Sequence, residues 1–294
     1  MHVITKIIIL MAASMTFSAY AMNDNKVIYG DDNRLDLYET TDSLHLDLAR
    51  STAAMISTNK IKITDDIASI NGNKLSSRGI CATAKFAEQM TAANCSGFLV
   101  GEDLLVTAGH CMKSASDCSG SNWVFDYAIG VNGASPAKVS ASSVYECSEI
   151  ISQTLSRSSK EDFALIRLKK KVIGRPVLKV RTEGRIGNNT ALVVIGHPTG
   201  LPTKVSAGAN VRTNSNSVYF VANLDTFGGN SGSAVFDAKT GTVEGILVRG
   251  ETDYVYDSAQ GCRVPKQCKN DECRGEDVTR ITNIKKLLEI LAQQ

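Results

Sequence analysis

The chain has 294 residues, with 32 Lys and Arg against 30 Asp and Glu, 43% hydrophobic residues and eight cysteines. A charge so close to balance excludes a polyanion-binding surface as the dominant feature, and the length supplies a sizeable core. The cysteines are even in number and all lie beyond residue 80, which points to an oxidising compartment and disulfides.

At the amino terminus Lys6 precedes an apolar run over residues 7–17, and Ser18-Ala19-Tyr20-Ala21 sets small residues at both positions that decide signal cleavage. Residues 1–21 therefore read as a secretory signal peptide. The run is shorter than the roughly 20 residues of a spanning helix, and no later segment approaches it. The expectation is a secreted protein, periplasmic or extracellular, with no membrane partner after signal removal. That removal takes Lys6 and no acid, leaving 31 basic residues against 30 acidic.

Residues 22–80 show polar stretches, such as Ser76-Ser77-Arg78-Gly79, and an amphipathic piece over 44–56. The segment is open to three readings: propeptide, arm or part of the β body. From residue 81, runs rich in Val, Ile, Leu, Phe and Tyr recur between turn residues at 95–100, 104–108, 123–127, 163–168, 190–196, 218–222, 234–237 and 242–248. Short strands so spaced predict an all-β barrel or sandwich. Lys169-Lys170-Lys171 reads as a solvated strand end, so no nucleic-acid partner is expected. A polar break over 181–189 divides a first half, 81–180, from a second, 181–294. Thr282 can cap a terminal helix with Ile284, Leu287, Leu288 and Leu291 on one face. No internal repeat is visible.

Three motifs carry chemistry. Gly229-Asn230-Ser231-Gly232-Ser233 places a serine in a glycine-rich turn, and a serine hydroxyl attacks at neutral pH only when a neutral imidazole takes its proton. Of the histidines beyond residue 21, His45 lies in the unassigned segment and His197 beside a Pro-Thr-Gly turn. His110 follows a strand, between small residues and a cysteine that can pin it. Asp162 opens an apolar strand and can accept the second imidazole N–H, fixing the tautomer; Asp126 is its rival and reads as an ordinary turn acid. The backbone N–H groups of Gly229 and Ser231 form the expected oxyanion hole. An α/β-hydrolase elbow is excluded because Ser233 replaces the second glycine and Ala234-Val235-Phe236 continues as strand. Cys262, Cys268 and Cys273 lack a nearby fourth ligand, so no metal and no organic cofactor is expected.

At these motifs the chain resembles the chymotrypsin/trypsin-like serine peptidases, and more closely their bacterial glutamyl-endopeptidase-like branch, over residues 81–291. Leu105-Val106-Thr107-Ala108-Gly109-His110-Cys111, Asp162-Phe163-Ala164-Leu165-Ile166 and Gly229-Asn230-Ser231-Gly232-Ser233 are similar to the family's histidine, aspartate and serine motifs. The resemblance implies two six-stranded antiparallel Greek-key barrels with a C-terminal helix, a Ser231-His110-Asp162 triad, a Cys95–Cys111 disulfide and a monomer that hydrolyses protein or peptide substrates. The other six cysteines stay unassigned, except that at least one bridge must join the group before residue 150 to the group after 260. The rival reading is a secreted binding protein or toxin on the same fold, with little or very selective turnover.

The same resemblance frames specificity. Gly245 to Gly250 falls where the family's substrate-binding strand runs, with Gly250 expected to pair with the substrate backbone. Asp225 stands where trypsin's pocket floor attracts Arg or Lys; Thr226 and Leu247 stand where glutamyl endopeptidases carry threonine and histidine. Leu247 offers a glutamate side chain no donor, so cleavage after Arg or Lys is expected over cleavage after Glu. Asn230 replaces the aspartate that binds a new amino terminus in animal trypsins, and Val27-Ile28 implies processing after Lys26.

Overall fold

The computed structural model describes residues 27–130 and 136–293; the expected signal segment 1–21 and Lys26 lie outside the described residues. Two closed antiparallel barrels make up the body. The first contains β1 (Thr52–Ser57), β2 (Cys95–Leu99), β3 (Leu104–Thr107), β4 (Ser121–Val124), β5 (Val144–Leu155) and β6 (Asp162–Leu168). The second contains β7 (Ala191–Gly196), β8 (Lys204–Thr213), β9 (Tyr219–Ala222), β10 (Ala234–Asp237), β11 (Val243–Arg249) and β12 (Glu276–Arg280).

Around the first barrel the order is β1-β2-β3-β6-β5-β4, closing on β1; around the second it is β7-β8-β9-β12-β11-β10, closing on β7. The two orders are the same order, so the fold carries a repeat that the sequence does not display. Closure gives each strand a neighbour on both sides, leaving only the first residues of β8 an open edge. This is the expected all-β architecture.

Residues 27–80 belong to both barrels. Thr52–Ser57 is a strand of the first, and Arg34–Asp36 adds an edge strand to β8 of the second. The piece over 44–56 splits into a helix, Ser43–Ala49, capped by the Asp42 carboxylate, and the strand β1. Arg34 locks the arm down: its guanidinium lies 4.3 Å from the Phe227 ring centroid and 5.3 Å from that of Phe86, with an ion pair to Asp32 at 2.6 Å. Beside it Lys204 and Asp36 form a buried ion pair.

β6 reads as a continuous apolar run because both its faces are covered. Phe163 to Ile166 lie in one cluster with Phe98 and Trp123 of the first barrel and with Val193, Ala234 and Ile246 of the second. Ile284 and Leu287 join that cluster, which seats the C-terminal helix, Lys285–Leu291, on the joint core. Disulfides link Cys81–Cys262, Cys95–Cys111, Cys118–Cys147 and Cys268–Cys273. Cys81–Cys262 is the required bridge between the front and back groups. Lys169 and Lys171 are exposed and pair with Glu146 and Glu102, as a solvated strand end should.

Candidate active site

Strand register brings His110 and Asp162 together. β3 and β6 pair with Thr107 opposite Ala164, and continuing that register sets Asp162 opposite Gly109, one residue from His110. His110 sits in a single 3-10 turn, Gly109–Cys111. Asp162 Oδ1 accepts the His110 backbone N–H at 3.0 Å, and Oδ2 lies 2.8 Å from Nδ1. An ionised carboxylate only accepts, so Nδ1 carries the hydrogen and Nε2 is left as the basic nitrogen. Asp162 is 1% exposed, which keeps water from competing for the imidazole. A Cβ on Gly109 would stand 2.1 Å from the Thr154 carbonyl oxygen, so only glycine lets the histidine turn settle this close to β5.

The serine turn is pressed against the same elements. Gly232 has φ +89°, and a Cβ there would meet the Ser96 carbonyl at 2.1 Å and Thr107 Oγ1 at 2.3 Å. The Ser231 carbonyl accepts the Ser96 N–H at 2.8 Å, and Cys111 Sγ lies 3.7 Å from the same oxygen. Hence the chain on either side of the Cys95–Cys111 bridge holds both the histidine turn and the serine turn. Asn230 is buried, with Oδ1 accepting from Ser233 Oγ at 3.3 Å. The Gly228 carbonyl accepts the Thr199 N–H at 2.5 Å. Because that peptide is trans, the Gly229 N–H points the opposite way. The His197-Pro198-Thr199 turn thus fixes the orientation of one expected oxyanion donor, a role that the sequence reading did not give it.

His110 also lies in a group with Cys95 and Cys111 whose potential ligand atoms are within 4.8 Å of one another, but both sulfurs are spent in their disulfide and are not thiolates. Asp126 is engaged elsewhere, accepting from Arg175 Nη1 at 2.9 Å and Ser143 Oγ at 2.6 Å. Beside Gly228 and Gly229 a cleft of about 360 Å³ opens between Lys60, Arg78, Thr199 and Asp253.

The specificity residues divide. Asp225, expected to line a pocket, instead faces the amino-terminal arm: Oδ1 accepts Tyr29 N–H at 2.7 Å and Oδ2 accepts Asn33 N–H at 3.0 Å. The buried Tyr29 N–H needs an acceptor, and this carboxylate supplies it. Burial pushes the carboxyl up to about 6, against the pull of the Asn33 and Tyr29 donors. Leu247 also departs from expectation: its side chain is fully buried with Leu192, Phe220 and Val278 in the core of the second barrel. Its backbone holds the serine turn, accepting from Gly232 N–H at 2.8 Å and donating to the Ser233 carbonyl at 3.0 Å. At Gly250, expected to pair with the substrate backbone, the carbonyl accepts from Arg274 Nη1 at 3.0 Å. Thr226 Oγ1 donates to Glu276 Oε2 at 3.2 Å.

The family profile of the trypsin-like peptidase domain matches residues 95–246. Among solved structures, VesB protease of Vibrio cholerae superposes with a TM-score of 0.52 at 13% identity, over 90% of this chain and 68% of that one. A Glu endopeptidase solved in complex with MPD gives 0.49 at 15% identity, over 91% of this chain and all of that one. No curated protein sequence matches the chain. The profile spans over half of the sequence and takes in all three motif segments, on the two-barrel fold described above; the chain belongs to the trypsin-like peptidase family and is a peptidase hydrolase.

Proposed function

We propose that the protein is an exported serine endopeptidase in which Ser231 is the nucleophile, His110 the general base and Asp162 the group that orients His110. The observation that carries this reading is the double grip of Asp162 on the imidazole nitrogen and the backbone of His110. With Nδ1–H held by a carboxylate, Nε2 takes the Ser231 proton as Oγ attacks the peptide carbonyl, and Asp162 stabilises the resulting imidazolium. The N–H groups of Gly229 and Ser231 hold the developing oxyanion. His110 then passes its proton to the leaving amine, the acyl-enzyme remains on Ser231, and water activated by the same imidazole releases the acid. The cleft between Lys60 and Arg78 lies on the glycine side of the turn and suits the leaving segment.

A phosphonofluoridate probe tests this directly. Fully processed wild type is labelled once per chain and Ser231→Ala is not. Absence of labelling in the processed wild type would favour the binding-protein reading.

A further inference from the structure

Thr226 and Gly250 converge on a group that sequence motifs do not single out. Glu276, the first residue of β12, is fully buried; its Oε2 accepts from Thr226 Oγ1 at 3.2 Å and its Oε1 from Glu251 N–H at 3.3 Å. A Cβ built on Gly250 would stand 1.9 Å from Oε2 and 2.1 Å from Cδ. The carboxylate therefore fills the space that any other residue at position 250 would claim. Both neighbours lie in segments that lead to the nucleophile: Thr226 runs through Phe227 and Gly228 into the Ser231 turn, and Gly250 ends the stretch in which Leu247 accepts the Gly232 N–H. These segments form two walls beside Ser231, and Glu276 stands between them. Asp225, on the first wall, faces away onto Tyr29 and Asn33.

We propose that Glu276 selects the side chain on the acyl side of the scissile bond, and that this side chain is cationic, Lys or Arg. The proposal rests on the serine-peptidase reading and replaces Asp225 in the role the sequence suggested. The Thr226 hydroxyl and the Glu251 N–H fix the carboxylate in place. An ammonium or guanidinium entering between the walls gains a charge-assisted contact. An acidic side chain is repelled, and an apolar one gains no charge-assisted contact.

The test is a set of fluorogenic peptides differing only in the residue before the cleaved bond, Lys, Arg, Leu, Ala or Glu, given to processed wild type and to Glu276→Gln. The expected result is a wild-type preference for Lys and Arg whose kcat/KM ratio over Leu falls by about 100-fold in Glu276→Gln, the scale for removing one partner of a desolvated charge pair. Should Glu276→Gln fail to fold, wild type alone decides: benzamidine slows phosphonofluoridate labelling of Ser231, and uncharged benzamide at the same concentration does not. A flat residue preference, a ratio unmoved by Glu276→Gln, or equal protection by benzamidine and benzamide overturns the assignment while labelling still upholds the nucleophile. Loss of labelling itself overturns the serine-peptidase reading and this assignment with it.

Discussion

His197 makes the fold acid-sensitive. It is fully buried; Nδ1 faces the Leu201 carbonyl at 3.1 Å, so Nδ1 bears the hydrogen, and Nε2 has no partner. A second proton would bring charge into a site that offers Nε2 no acceptor. Burial, with a smaller contribution from Lys204 and against the Leu201 carbonyl, drives the imidazole down to about 3 from its ordinary 6.5. The sign follows from proton counting: between these values the unfolded chain binds the proton and the folded one does not, so stability is complete above pH 6.5 and is lost as pH falls. At roughly 1.4 kcal/mol per pH unit, the loss from this one group reaches about 2 kcal/mol by pH 5. Asp225 tilts the opposite way, because its raised value lowers stability as pH rises from about 4 to 6. The measurement is therefore a difference. Urea unfolding of wild type and of His197→Asn, which keeps an N–H donor for Leu201, is followed at pH 7, 6 and 5. The variant should lose about 2 kcal/mol less than wild type between pH 7 and 5. Parallel curves for the two proteins would refute the argument.

Three further outcomes follow from particular contacts. Asp162→Asn should keep the fold but lower kcat by about 10⁴-fold, because an amide that donates to Nδ1 selects the wrong tautomer; a loss below tenfold, read by steady-state kinetics, would remove Asp162 from its orienting role. Asp225→Ala leaves the buried Tyr29 N–H without its acceptor, so urea unfolding should show about 1 to 3 kcal/mol of destabilisation with the Lys-to-Leu ratio retained. Loss of that ratio would return Asp225 to the substrate pocket. Replacing Cys81 and Cys262 together by serine opens a loop of 181 residues, and the chain-entropy scale gives a cost of about 5 kcal/mol by denaturant unfolding. A cost under 1 kcal/mol would show that the arm and barrels hold this staple's two ends together unaided.

Where a local rule decides the structure, the residues announced it. Strands β2, β3, β6, β7, β10 and β11 are apolar runs between turn residues, and each coincides with an expected strand to within a few residues. Strands β5, β8 and β12 escaped notice for identifiable reasons. β5 is twelve residues long, bulged and half exposed over Glu149 to Leu155, so its polar positions break the run. β8 carries Ser, Gly and Asn, and β12 is Glu-Asp-Val-Thr-Arg, charged in composition yet buried throughout because Arg249, Arg274 and Thr226 answer its carboxylates. β1 lies in the second half of the amphipathic piece over 44–56, and its apolar pattern merges with that of the helix Ser43–Ala49 just before it.

The sequence by itself determined the chemistry that depends on residue type and immediate neighbours: a glycine-flanked serine, a histidine pinned by a cysteine, an aspartate at a strand mouth, and an even set of cysteines. Tertiary structure decided what depends on direction. Whether a carboxylate serves substrate or scaffold turns on which N–H groups lie within 3 Å of it, and those come from residues almost 200 positions away, as Tyr29 and Asn33 do for Asp225. Glu276 reaches Thr226 and Gly250 only because barrel closure sets β12 between β9 and β11, a pairing for which no local pattern in the chain gives notice.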